Sequence, residues 1–193
     1  KDMKERFLND IKDHKMHILL DNGVYRHVVF KRDNSYTYRF DVVTYPGHLV
    51  ISGDMGSYVF NRLHDMFEFF STVDEKLNIN LGYWTEKLVS VSEFGSNDGT
   101  VQDFSAEESF ANLKSYIDEM ELDEDEKEDL IERLKNSSDE HEFINTCSNY
   151  NIDDAYEYLS YNPTMYIEWI LYAIKYAIIE YKKETDNAKS KNS

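Results

Sequence analysis

The sequence is poor in cysteine and in basic side chains. It contains one cysteine, Cys147, among 193 residues, which excludes a disulfide within the chain and any zinc site built on several thiolates. Lys and Arg total 21 against 38 Asp and Glu, so the formal net charge is −17. A chain of this charge is repelled by phosphate groups. The composition therefore excludes a simple basic groove for nucleic acid and a polybasic membrane contact.

Several signatures of targeting and catalysis are also missing. Residues 1–13 hold no apolar core of a signal peptide. No glycine-rich phosphate-binding element follows a strand-like segment, and no nucleophile-elbow motif is present. The apolar run at residues 165–181 is short for a membrane span and contains Glu168, Lys175 and Glu180. We therefore expect a protein of the cytoplasm that is not an enzyme and has no cofactor, metal or membrane contact.

Apolar residues are abundant, and the charge is unevenly distributed. Hydrophobic residues make up 41% and aromatic residues 15% of the chain, which is enough for a real core. Residues 1–71 carry ten basic and ten acidic side chains, whereas residues 72–193 carry 11 and 28. The segment Asp103–Glu132 holds 13 carboxylates against only Lys114 and Lys127. This asymmetry indicates two regions with different tasks.

The first region, residues 1–94, predicts a helix followed by a small antiparallel sheet. Apolar residues in Met3–Leu20 have loosely helical spacing, and the turn Asp21-Asn22-Gly23 ends this run. Strand-like segments separated by turns follow at Val24–Phe30, Tyr36–Tyr45, His48–Ser52 and Ser57–Phe60. Asn61–Phe70 is then typical of a short amphipathic helix, and residues 72–93 fit no single pattern. The expected fold class is α+β, with helices packed on a small antiparallel sheet, followed by an acidic helical region.

The second region, residues 100–184, predicts mostly helix. The flexible segment Gly95–Gly99 is the expected boundary between the regions. Helix starts are indicated at Ser105, Asp123 and Ser138, with a further helix at Asp153–Leu159. Met165–Tyr181 is apolar nearly all round, which predicts a central buried helix, an oligomer face being the alternative. Residues 185–193 are expected to form a disordered tail.

One stretch of the first region carries a resemblance. A strand, the turn Pro46-Gly47-His48 and the element Ser52-Gly53-Asp54-Met55-Gly56 lead into Met66-Phe67-Glu68-Phe69-Phe70. This run, Arg39–Phe70, resembles a recurrent segment of small, uncharacterised phage- and prophage-encoded proteins. It covers about a sixth of the chain. The resemblance implies a phage protein that counters host defence, of the anti-CRISPR kind, and it implies no catalytic residue.

The dense carboxylates are the candidate partner-binding site. On a helix, Glu121, Asp125 and Asp129 would stack at positions i, i+4 and i+8. Glu124, Glu128 and Glu132 would form a second row of the same kind. Each like-charge pair destabilises the helix by about 0.2–0.5 kcal/mol. If Asp103–Glu132 were one continuous helix, its 13 carboxylates would give one charge per roughly 3.5 Å of helix length. This charge density is close to that of one DNA strand, which carries one charge per ~3.4 Å. A helix break near Leu122 would fold that line. The candidate residues are Glu119, Glu121, Asp123, Glu124, Asp125, Glu128, Asp129 and Glu132.

Two interpretations of this acidic surface stay open. It is either a solvated, solubilising face or a mimic of a nucleic-acid backbone. In the second case the partner is a basic host protein, such as a CRISPR effector nuclease with its basic heteroduplex channel, and nucleic acid itself is not bound. The oligomeric state stays open.

Other residues support alternative functions. His48 and Asp54 would be the acid/base pair of a small enzyme acting on a nucleotide signal, or the corner of a structural hairpin. His14 and His17 would share one helix face and a metal ion, or form polar surface. Eight tyrosines between Tyr150 and Tyr181 suit either an interface or the core. A phage assembly adaptor that oligomerises through the last helix is a third possibility.

Overall fold

A computed structural model describes residues 2–71, 76–91 and 101–191. The chain folds as α+β and divides into two compact units. The first, called the sheet unit, comprises Lys1–Val101 and Thr164–Ser193, and the second, called the acidic unit, comprises Gln102–Pro163. The expected boundary segment Gly95–Gly99 lies outside the described residues. The last helix, grouped above with the acidic region up to residue 184, belongs to the sheet unit.

The sheet unit is built on a six-stranded antiparallel sheet in which each strand pairs with its neighbours in sequence. Strand alternation places large apolar side chains on one face, where Val28, Phe30, Phe40, Val42 and Phe60 are buried. The strands are β1 (Lys15–Asn22), β2 (Tyr25–Lys31), β3 (Phe40–Tyr45), β4 (His48–Gly53), β5 (Gly56–Asn61) and β6 (Leu88–Val91).

Helices supply the rest of this core. They are α1 (Met3–Asp10), α2 (Met66–Phe69), α3 (Leu81–Thr85) and α7 (Met165–Lys191). Trp169, Ile170, Ala173 and Ala177 of α7 are at most 1% exposed, which confirms the expected buried helix, while Tyr166 is half-buried. Because α7 is enclosed by α1, α3 and the sheet, it is apolar nearly all round.

Three expectations about this unit were wrong in detail. The first helix ends at Asp10, with its C-cap at Ile11, and the following residues form the edge strand β1. The predicted helix Asn61–Phe70 shrinks to the single turn of α2, because Asn61 still belongs to β5. The expected disordered tail continues α7 as helix up to Lys191, since its residues permit helix and no breaker interrupts them.

The acidic unit is a helical unit closed by a short ribbon. Strands β7 (Gln102–Phe104) and β8 (Tyr161–Pro163) pair at its two ends. Between them lie α4 (Ala106–Glu119), α5 (Glu124–Lys135), α6 (Glu140–Asn149) and the 3₁₀ turn Ala155–Tyr158, where an α-helix was expected. Residues 105–160, all described, contain no strand, which agrees with the mostly helical prediction, whereas the flanking strands β7 and β8 were not predicted. The core is formed by Leu113, Ile117, Leu130, Leu134, Phe143 and Cys147.

Candidate functional site

Almost all excess negative charge of the chain lies in the acidic unit. Its 62 residues carry 19 carboxylates and four Lys or Arg side chains, a formal net charge of −15. The sheet unit carries 19 carboxylates and 17 basic side chains, a net charge of −2. The boundary between the units is therefore also a boundary in charge, and the acidic unit is the candidate site.

The eight predicted site residues all lie on the surface of this unit. Glu119 ends α4, Glu121 and Asp123 lie in the connection, and the other five belong to α5. The helix break predicted near Leu122 is confirmed. Because α5 begins only at Glu124, Glu121 does not stack on Asp125 as predicted. The stacked pairs are Glu124–Glu128, Glu128–Glu132 and Asp125–Asp129.

Two of these eight carboxylates have structural partners. Asp123 caps α5 by accepting a hydrogen bond from the Glu126 backbone N–H at 2.8 Å, and the Glu126 carboxylate accepts one from the Asp123 N–H at 3.3 Å. Asp129 Oδ2 accepts hydrogen bonds from the Tyr150 hydroxyl at 2.7 Å and from Arg133 Nε at 2.8 Å. These bonds lower the pKa of Asp129, the tyrosine contributing most. The other six form no hydrogen bond or ion pair with any described residue.

The capping box at Asp123 leads to a stability prediction. Asp123→Ala leaves the Glu126 N–H without its partner and is expected to destabilise the acidic unit by about 1 kcal/mol. Asp123→Asn removes the same charge but keeps the cap acceptor, so it serves as the control. Thermal unfolding followed by circular dichroism compares the two variants. Equal losses in both would contradict the capping role.

Tyrosines position several carboxylates of the acidic unit. Besides Tyr150, the Tyr161 hydroxyl donates to Glu140, and the Tyr156 hydroxyl donates to Asp154 at 3.1 Å. These carboxylates raise the pKa values of all three hydroxyls. Tyr156 and Tyr161 are 65% and 41% exposed. Exposed aromatic rings beside carboxylates suit a protein interface better than a face that is only solvated.

These tyrosine pairs could not be found from the sequence pattern. Tyr150 and Asp129 are 21 residues apart, as are Tyr161 and Glu140, so no helical or strand spacing links them. Only the abundance of tyrosine after residue 150 pointed to this surface. Of the five other tyrosines, Tyr158 packs against the core of the acidic unit, and the four that belong to α7 pack in or against the core of the sheet unit.

The structure does not bring His48 and Asp54 together. His48 begins β4, where its two ring nitrogens contact the Pro46 carbonyl at 3.1 Å and Asn61 Nδ2 at 3.0 Å. Asp54 follows the other end of β4 and accepts a hydrogen bond from the Tyr38 N–H at 2.8 Å. The expected acid/base pair is therefore separated by a whole strand, and Asp54 belongs to a hairpin corner.

The histidine pair His14 and His17 is also not a helical pair. Because α1 ends at Asp10, His14 lies in a turn, where its Nε2 contacts the Tyr38 carbonyl at 3.1 Å, and His17 lies on β1. Burial is the main cause that lowers the pKa of His14. Within residues 2–71, 76–91 and 101–191, no group of three or more His, Cys, Asp or Glu side chains is placed to hold a metal ion.

Two further findings concern the whole described chain. Among the described helices, none is both long and apolar enough to cross a membrane. Comparison with models of known protein families, with curated proteins and with solved structures finds no significant match.

Proposed function

We propose that this protein is an inhibitor that binds a basic, nucleic-acid-binding protein through its acidic unit, in place of nucleic acid. The observation that carries this proposal is the concentration of a net charge of −15 in one 62-residue unit. Six of the eight candidate carboxylates have no partner among the described residues, so their charge is available to Lys and Arg of another protein. Such complementarity accelerates encounter and selects partners.

A purely solubilising role explains this surface less well. Solubility needs net charge but does not need like charges stacked on one helix, where Glu124–Glu128, Glu128–Glu132 and Asp125–Asp129 oppose folding. The exposed tyrosines of the same unit add apolar contact area. Both features are disadvantages for an isolated protein, and both become useful when a basic surface covers them.

The first target class is an RNA-guided nuclease of the host. Its heteroduplex channel is strongly positive and recognises backbone geometry. A dense row of carboxylates can bind the basic side chains of such a channel. The resemblance of Arg39–Phe70 to phage segments supports a counter-defence role. A restriction or recombination nuclease offers the same electrostatics. The adaptor alternative is less well supported, because the apolar surface of α7 is covered within the sheet unit.

Charge neutralisation on the acidic unit tests this proposal. The variant carries Gln or Asn in place of Glu121, Glu124, Asp125, Glu128 and Glu132, which removes five charges and no described hydrogen bond. Its stability should hold or rise, since like-charge pairs disappear. Its affinity for a guide-loaded RNA-guided nuclease should fall on the order of 100-fold at 0.05 M salt, if each charge contributes about 0.5 kcal/mol.

The control changes the same number of charges on the sheet unit. Glu5, Asp13, Glu68, Glu184 and Asp186 are exposed and form no side-chain bond with a described residue, and their neutralisation should leave affinity nearly unchanged. Binding of the unaltered protein should weaken as salt rises past about 0.15 M and should exclude target DNA. Unchanged affinity in the first variant, or simultaneous binding of DNA, would contradict the proposal. So would failure to bind RNA-guided, restriction and recombination nucleases alike.

A further inference from the structure

A groove runs between α5 and α6 on the acidic unit. Its volume is about 350 Å³, at the small end of the ~300–1,000 Å³ range of ligand pockets, so it has room for a single side chain. Three of its side chains are carboxylates and one is a guanidinium, which leaves a formal charge of −2. The lining residues are Asp129, Glu132, Arg133, Asn136, Glu142 and Thr146.

The carboxylates of this groove are held in place while keeping acceptor atoms free. Asp129 contacts Tyr150 and Arg133 through Oδ2, and its Oδ1 has no partner among the described residues. Glu142 Oε2 accepts hydrogen bonds from the Ser138 N–H and hydroxyl, both at 2.8 Å, and its Oε1 has no partner in the described part of the chain. Both oxygens of Glu132 are without a partner among the described residues. Two fixed carboxylates and one adjustable carboxylate on two helices therefore offer four oxygens that no described residue contacts.

This arrangement distinguishes the two cations that a basic protein presents. A guanidinium has five N–H donors in a planar fork, so it can bond carboxylates on both sides of a groove at once. An ammonium is a compact, strongly hydrated point charge with three donors. Pre-organised carboxylates also reduce the entropy lost on binding. The side-chain amide of Asn136 and the hydroxyl of Thr146 add neutral acceptors.

We infer that the groove between α5 and α6 receives an arginine side chain of the basic partner and makes the acidic unit selective for arginine over lysine. This inference rests on the proposed function, because it names the side chain that the acidic surface recognises. Arg133 does not itself occupy the groove as the bound arginine. It lies four residues after Asp129 on the same helix and contacts Asp129 Oδ2, not Oδ1. The exposed tyrosines outside the groove offer further faces for guanidinium groups.

Labelled octa-arginine and octa-lysine peptides test the inference by fluorescence anisotropy with the full chain at 0.05 M salt. The arginine peptide should bind about tenfold more tightly, the effect of roughly one charge-assisted hydrogen bond. In the groove variant Glu132→Gln/Glu142→Gln, this ratio should fall towards one. In the control variant Glu124→Gln/Glu128→Gln, which loses the same charge outside the groove, both peptides should weaken and the ratio should persist.

A second measurement does not depend on a variant. In amide correlation spectra of the unaltered chain, octa-arginine should shift the Asn136 side-chain and Thr146 backbone resonances more than octa-lysine does. Equal affinities, a ratio that persists in the folded groove variant, or equal shifts with both peptides would overturn the arginine groove and leave the proposed function standing. Failure of both peptides to bind would overturn both.

Discussion

Trp169→Glu is expected to unfold the sheet unit. The Trp169 side chain is fully buried, meets Phe7 and Phe40 edge-on with ring centroids 5.1 and 5.7 Å away, and donates a hydrogen bond to Asp10 at 3.1 Å. Removing a buried Trp side chain costs about 3–5 kcal/mol, and an unpaired buried carboxylate adds to that loss. Together these approach the ~5–15 kcal/mol that stabilises a typical domain.

Fluorescence and light scattering measure this outcome. Trp84 is the other tryptophan and is buried in the same unit, so its emission reports unfolding after Trp169 is replaced. Trp169→Phe is the milder control, because it keeps an aromatic ring and loses volume and the bond to Asp10. A Trp169→Glu protein that is folded and has merely changed from oligomer to monomer would show that α7 is an interface and would contradict its burial within the sheet unit.

Asp65→Asn is expected to destabilise the sheet unit by about 3 kcal/mol, the low end for a broken buried ion pair, because Asp65 keeps some contact with solvent. Two parallel hydrogen bonds of 2.9 Å join Arg26 to Asp65, and the guanidinium lies 4.3 Å from the ring centre of Phe67. Arg26 is 8% exposed, so its charge would lose its main compensation. Asparagine retains the oxygen that accepts from the Phe67 N–H and caps α2.

The exposed pair Lys15–Asp33 provides the control. Both of its side chains are more than 60% exposed, so solvent screens the attraction and Asp33→Asn should change stability little. Urea denaturation at pH 7 compares the two variants. Similar losses at both sites would contradict the role of burial.

The Arg26–Asp65 pair also predicts a pH dependence. Hydrogen bonding to Arg26 is the main cause that lowers the pKa of Asp65. The folded state therefore binds this proton less readily than the unfolded state, and the stabilisation is present above pH ~4, near the unfolded pKa, and is lost below it. The difference in unfolding free energy between the parent and Asp65→Asn should accordingly shrink from pH 7 to pH 3. An unchanged difference would contradict this linkage.

Local patterns predicted most of the fold. The four strand-like segments of the first region correspond to β2 to β5 because each has a buried face and is bounded by turn residues. The second was predicted too long, because Tyr38 has φ 57° and β3 begins only at Phe40. Edge strand β1 was missed because the register shifts at Leu19, which interrupts the alternation. The Asp21-Asn22-Gly23 stop, interpreted as a helix end, is a hairpin corner in which Gly23 has φ 62°. The spacing of Phe7 and Ile11 fits both the true short helix and the longer prediction.

The candidate site was predictable only in part. The exposure of its carboxylates follows from their composition, because unpaired charges stay in water. The bonds that hold Asp129 and Glu140 depend on which faces of α5 and α6 meet their tyrosines, and that is set by packing between helices. The separation of His48 and Asp54 likewise follows from the length of β4. The prediction that these two residues form an acid/base pair rested only on their proximity in the sequence.

The sheet unit is formed from two separate segments of the chain, Lys1–Val101 and Thr164–Ser193. This affects the order in which its parts become available during synthesis. At roughly 5–20 residues per second, the ribosome completes the sheet strands before it produces residues 102–191, which takes roughly a further 5–20 s. During that time the face lined by Phe30, Phe40 and Phe60 awaits the helix that covers it. The acidic unit is a continuous stretch and can fold meanwhile. The nascent chain thus carries an uncovered apolar sheet followed in sequence by a strongly anionic segment, and charge of this kind repels neighbouring nascent chains.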